Sequence, residues 1–208
     1  MLRARTGVIS VRNFPDAITV AVTAVFLLPA AAQEPVRVAP ANQISIPDVP
    51  LLNEQGRTIR FRELLSAPVV VVNFIFTTCT TICLPLGANF ASLGRELGSR
   101  AGTDVQLISV SVDPATDTPQ RLRTWAAQFR PGPGWSLVTG SKPNVDALLR
   151  GLRVYTADKV SHTPMILIGR PATGEWIRTN GLAKPAVLAQ IVNDVRNGRI
   201  PEGQRDRP

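Results

Sequence analysis

Two of the 208 residues are cysteine, and both fall in one short stretch, FIFTTCTTICLP (Phe74 to Pro85), as Cys79 and Cys83. Sulfur used so sparingly and so close together suits three chemistries: a structural disulfide, a redox dithiol and a pair of soft metal ligands. If a helix begins there, the spacing puts both side chains on one face a turn apart, and the helix N-terminus favours the thiolate that attacks disulfides and binds metals. A bridge between them would need a Cα separation near the upper end of the tolerated range, so it would be more reducible than a typical structural disulfide. A purely structural role is the weakest of the three, because a chain of this length at 44% hydrophobic residues needs no cross-link to hold its core. The single histidine, His162 in VSHTPMILI, is a neutral imidazole that could close a three-coordinate site around one soft cation. Structural zinc normally takes four protein ligands, and no fourth is evident.

The elements that must position these residues follow from patterning. VVVVNFIF (Val69 to Phe76) is almost wholly apolar, as in a strand buried on both faces of a sheet, and the cysteines follow it directly. Before it, IPDVPLLNEQGRTIRFRELL predicts two short strands around a turn at Asn53 to Gly56, then a helical turn ended by Pro68. After it come a helix carrying Phe90, Leu93 and Leu97 with Gly102 as terminator, and the alternating strand VQLISVSVD, which ends at Asp113. A second helix is capped by Thr118 with Pro119 at its first position and shows one face of Leu122, Trp125 and Phe129. The remainder reads as a strand (SLVTG), a helix (KPNVDALLRGL), a hairpin (MILIG and EWIRT around RPATG) and a last helix stopped by Gly198.

This order, β-β-β-α-β-α-β-α-β-β-α, is that of an α/β thioredoxin-like fold, a central mixed sheet flanked by helices, with an N-terminal β-hairpin extension. Sites in α/β sheets gather beyond the carboxyl ends of strands, where both the cysteine loop and Asp113 fall. Asp113 and Asp117 read either as strand-end and capping residues or as shapers of the site. Met165 and the tryptophans read as packing residues.

Residues 1–32 have the form of an export signal or N-terminal anchor: Arg3, Arg5 and Arg12, then an apolar stretch from Ala17 to Ala32 that ends in small residues. That stretch is 16 residues, short of the roughly 20 that span a bilayer as a helix, so cleavage is the expectation and an uncleaved anchor the alternative. Residues 33–43 read as a flexible linker, 44–198 as the folded domain and 199–208 as a disordered tail. An exported chain lies outside the cytoplasm, in the periplasm, where thiols oxidise unless reduced or metallated. Losing three Arg and one Asp with the signal lowers the formal charge from +8 to +6, with the bases scattered, so nucleic-acid binding is not expected. Membrane contact is expected only through an uncleaved N-terminus.

Three motifs in order, FTTCTTIC, SVDPATDTP (Ser111 to Pro119) and SHTPMILI, resemble those of the Sco/SenC copper chaperones, over Pro47 to about Val195. The resemblance implies that Cys79, Cys83 and His162 bind one copper, as Cu(I) and also Cu(II), in a thioredoxin-like domain. It also implies a redox disulfide between Cys79 and Cys83, and delivery of copper to the CuA site of cytochrome c oxidase or another cuproenzyme, with a thiol reductant as further partner. Asp113 and Asp117 fall in its most distinctive non-ligand stretch, which gives them a supporting or docking role. The chain departs from the family pattern at Thr80, Ile82 and Leu84 around the cysteines and at Ser161 before the histidine. Pro164 resembles the cis-proline loop of thioredoxins, which keeps a thiol-disulfide oxidoreductase as the alternative function.

Overall fold

The computed structural model describes residues 36–159 and 163–199. The stretch read as an export signal, the first residues of the stretch read as linker, His162 with Val160 and Ser161, and nearly all of residues 199–208 lie outside the described residues. Among the described residues eight strands form one sheet: β1 (Val38–Pro40), β2 (Pro50–Asn53), β3 (Thr58–Arg60), β4 (Val69–Ile75), β5 (Val105–Ser111), β6 (Trp135–Thr139), β7 (Met165–Arg170) and β8 (Glu175–Asn180). Their order across the sheet is β1-β8-β7-β4-β5-β6-β2-β3. The helices are α1 (Cys83–Leu97), α2 (Pro119–Ala127), α3 (Lys142–Gly151) and α4 (Pro185–Arg196).

β4 is buried at every position, as its unbroken apolar run requires. Val69, Val71 and Ile75 join a core with α1, α2 and α4 on one face, whereas Val70, Val72 and Phe74 join α3 and Phe61 on the other. It pairs in parallel with β5 and antiparallel with β7, so the sheet is mixed about its central strand. Sequence and structure agree on the alternation of elements, on the Asn53–Gly56 turn, and on Thr118, whose hydroxyl accepts the Arg121 N–H at 3.2 Å.

Three boundaries differ from expectation. Val38–Pro40, within the stretch read as linker, pairs with β8, and Ala41 beyond it is buried, its N–H bonded to the Trp176 carbonyl at 2.8 Å. Strand pairing needs only backbone N–H and C=O groups, so a segment without side-chain periodicity still adds to an open edge. Helix α1 ends at Gly98 rather than at Gly102; with φ of 58° and ψ of −130° the chain leaves the helix in a conformation that glycine takes without a Cβ penalty. The same helix begins at Cys83, not before Cys79, so the two cysteines do not share a helical face.

α1 lies close on its neighbours. A Cβ at Gly87 would come within 2.6 Å of the Phe129 ring, so only glycine admits that aromatic edge. At the next position but one, the Asn89 amide donates to the carbonyls of Gly181 (2.6 Å) and Ala183 (2.7 Å) in the loop from β8 to α4. Among the described residues no helix is long and apolar enough to cross a membrane. Replacing Asn89 by Ala leaves both carbonyls without this donor, and urea unfolding should show a loss of about 1–3 kcal/mol with an unchanged m-value.

Candidate dithiol site

The register of the sheet decides what meets at the site. Ile75 of β4 sits opposite Ser111 of β5, so the loops that leave these parallel strands emerge side by side. Asn73 of β4 sits opposite Ile166 of β7, so the chain also enters antiparallel β7, through Thr163 and Pro164, at the carboxyl end of β4. The three motif segments thus converge on one end of the sheet. His162 itself lies outside the described residues.

Both cysteines are free thiols, Cys79 at 7% exposure and Cys83 at 0%. Cys79 stands in the loop ahead of α1, where its N–H bonds the Phe76 carbonyl at 3.2 Å, and its sulfur accepts the N–H of Cys83 at 3.3 Å. Ile82, the formal cap, offers no side-chain acceptor, so the Cys79 sulfur satisfies one of the orphan N–H groups of the first turn. The geometry separates the two thiols chemically. Burial raises the Cys79 pKa, but hydrogen bonds from Cys83 and Thr81 to its sulfur outweigh that and hold it below the usual thiol value. Burial pushes Cys83 up to about 12, helped by its hydrogen bond with Cys79 and opposed by the Phe76 backbone N–H. The sequence expectation of a helix N-terminus activating the pair therefore applies to Cys79, which lies in front of the helix, and not to Cys83, which is inside it.

The two aspartates sit at opposite ends of the loop that follows β5. Asp117 is 1% exposed and accepts from the Thr77 N–H (3.1 Å), the Thr77 hydroxyl (2.5 Å) and the Ser111 hydroxyl (2.7 Å). Asp113 pairs with Lys159 at 2.5 Å, and the ammonium also lies 5.5 Å from the centre of the Phe76 ring. Burial raises the Asp113 pKa, but the hydrogen bond and charge of Lys159, with Thr116, bring it below the ordinary carboxylate value. Lys159 is not marked by a pattern in the sequence, and nothing in the sequence pairs Thr77 or Ser111 with Asp117. Thr77 and Ser111 do fall inside the motifs FTTCTTIC and SVDPATDTP, and each is a small hydroxyl residue just past, or at, the end of a buried strand.

Among the described residues no three His, Cys, Asp or Glu side chains form a group able to hold a metal ion. The described part of the site is two sulfurs. No described peptide bond is cis, so Thr163–Pro164 is trans, and its likeness to the cis-proline loop stops at the sequence.

An α/β sheet with a dithiol loop at the carboxyl end of its central strand defines the class: a thioredoxin-like protein. Within that class the chain belongs to the SCO1/SenC family, whose model matches residues 40–191. The SCO1 protein homolog of Bacillus subtilis is 37% identical over 89 residues, which are 42% of this chain and 45% of that one. The chain spans about half the length of the curated relatives it matches. BsSco, a member of the Sco family of cytochrome c oxidase assembly proteins in which a disulfide switch has been identified, superposes with a TM-score of 0.62 at 24% identity. That match covers 76% of this chain and 96% of BsSco. Arabidopsis thaliana ScoI, solved with copper bound, gives 0.61 at 23% identity over 74% of this chain and 99% of its own. At these identities the superpositions establish the fold.

Two measurements follow from this geometry. In the native reduced protein Cys79 should react with iodoacetamide at least about tenfold faster than Cys83, and the contrast should vanish in urea; mass spectrometry of the alkylated peptides reads it. For Asp113 the folded pKa is depressed, so its stabilisation is complete above the unfolded carboxyl pKa and is lost as pH falls through the folded value. The stability difference between wild type and Asp113→Asn should thus be constant above about pH 5 and shrink below about pH 4, read by urea unfolding across pH.

Proposed function

We propose that this chain is a periplasmic copper carrier that holds one copper ion between the Cys79 and Cys83 thiolates and the His162 imidazole. The ion then passes to the CuA site of a respiratory oxidase or to another cuproenzyme. Copper is cargo here, so the site must hold it firmly yet release it to an acceptor with competing soft ligands. The observation that carries the reading is the convergence of the cysteine loop and the entry to β7 at the carboxyl end of β4, within the SCO1/SenC family. Soft thiolates with a neutral imidazole suit Cu(I), and the imidazole lets the same set accept Cu(II). Residues 1–32 support export, and Arabidopsis ScoI with copper bound supports the cargo.

Redox state and metal binding are linked on this reading. When the dithiol reduces a disulfide-bonded partner, the two sulfurs lose two electrons and two protons, join as Cys79–Cys83, and leave no thiolate to bind copper. A thiol reductant then restores the carrier by the reverse exchange.

A second reading, a thiol-disulfide oxidoreductase, draws on one feature: Cys79 stands ahead of the helix while Cys83 is fully buried, the arrangement of an attacking and a resolving thiol. The Cys79 thiolate would attack a client disulfide and release one client thiolate. Cys83 would then attack the mixed disulfide, release the second client thiolate and leave the Cys79–Cys83 disulfide, with the client reduced by two electrons.

Titration of the reduced protein with Cu(I) against a chromophoric chelator separates the two. A carrier takes up one equivalent, and His162→Ala weakens binding by at least about tenfold. Equal affinity of wild type and His162→Ala, together with a Cys83→Ser variant that traps a client through Cys79, would establish the oxidoreductase instead.

A further inference from the structure

The best-satisfied buried charge near the dithiol is Asp117, and the donors around it leave little freedom. Thr77 Oγ1 accepts from the Arg121 Nε at 3.1 Å, and Ser111 Oγ accepts from the Asp113 N–H at 3.0 Å. A hydroxyl has one hydrogen, and with these acceptor positions filled both hydroxyls turn theirs to Asp117. The Thr77 N–H is the third donor. Among the described residues three donors bond this side chain, an environment an ionised carboxylate satisfies and an amide does not, since its NH2 would meet a donor. The charge also sits directly ahead of α2, whose N-terminus favours it.

These bonds cross the site. Ser111 ends β5 and Thr77 lies two residues before Cys79, beside Phe76, whose carbonyl holds the Cys79 N–H. Asp117 thereby joins the entrance of the cysteine loop to the end of β5 and the start of α2. The exit of the same loop is held by α1, where the Cys83 N–H meets the Cys79 sulfur. A loop of few residues held at both ends keeps its sulfurs at a fixed separation. Released at the entrance, Cys79 would move while Cys83, inside the helix, would not.

We propose that Asp117, acting through Thr77, is the positioning residue of the dithiol: it fixes Cys79 against Cys83 so that both sulfurs can engage one partner atom. The proposal rests on the copper-carrier reading for its ligand and on the described geometry for its mechanism.

The test uses the reduced full domain with Asp117→Asn, Thr77→Val, Thr77→Ser and the Asp117→Asn/Thr77→Val double variant. Cu(I) affinity is read by chelator competition, and the ratio of Cys79 to Cys83 alkylation rates is read without metal. Asp117→Asn and Thr77→Val are each expected to weaken Cu(I) binding by about 10–100-fold, the size of effect that partners of metal ligands have. Thr77→Ser, which keeps the hydroxyl, should stay within about threefold of wild type. The double variant should bind no more weakly than Asp117→Asn alone, because the two residues act as one unit. In both weakened variants the alkylation ratio should fall below that of wild type, because Cys79 loses the Cys83 N–H at its sulfur. If Asp117→Asn does not fold, Thr77→Val against Thr77→Ser carries the same comparison. Affinity and alkylation ratio unchanged in Asp117→Asn and Thr77→Val, or losses that multiply in the double variant, would overturn the proposal. A wild-type domain that takes up no copper would defeat the carrier reading alone, and the alkylation ratio would still decide the role of Asp117.

Discussion

The parallel pairing of β4 with β5 is the constraint on which the rest of this structure depends. Seven consecutive residue pairs, from Val69–Val105 to Ile75–Ser111, run in register between strands buried among helices. A slip by one residue would turn every side chain to the opposite face, exchanging the two valine-rich cores for each other's neighbours. Because the register cannot slip cheaply, the ends of the strands cannot either. The position of the cysteine loop and of the Asp113–Asp117 loop is thus a property of the core, inherited by the surface.

How much of this was legible beforehand depends on whether a residue's role is local. Val69 to Phe76 announced a central strand because burial on both faces leaves an unbroken apolar run. Thr118 and Pro119 announced the start of α2 because capping is settled within one turn. Cys79 and Cys83 were conspicuous by rarity and spacing. What could not be read was partnership across the sheet: that Thr77 meets Asp117 forty residues later, or that Lys159 meets Asp113, follows from strand order and register. The cysteine asymmetry failed to show for a related reason. A shift of the helix start by four residues, finer than sequence patterning resolves, separates two equivalent thiols from one ahead of the helix and one inside it.

The site shows how a fold handles polar groups it has to bury. Asp117 carries a charge at 1% exposure with no cation bonded to it among the described residues, and three donors and a helix N-terminus make that tolerable. Asp113, slightly more accessible, is matched instead by an ammonium. One five-residue stretch, Asp113 to Asp117, therefore uses two different solutions for two carboxylates, and each ties a different segment of the chain to the end of β5.

The two margins of the sheet, β1 and β3, are only three residues long each, and Pro40 in β1 lacks an N–H to offer a newcomer. Between them lies β4, a valine-rich ribbon of the kind that stacks against its own copies when uncovered. Blunted borders of this sort deny another molecule a template to extend. The few residues of β1 thus leave little backbone to extend, a property unrelated to sulfur chemistry and supplied by a stretch whose composition is that of a spacer.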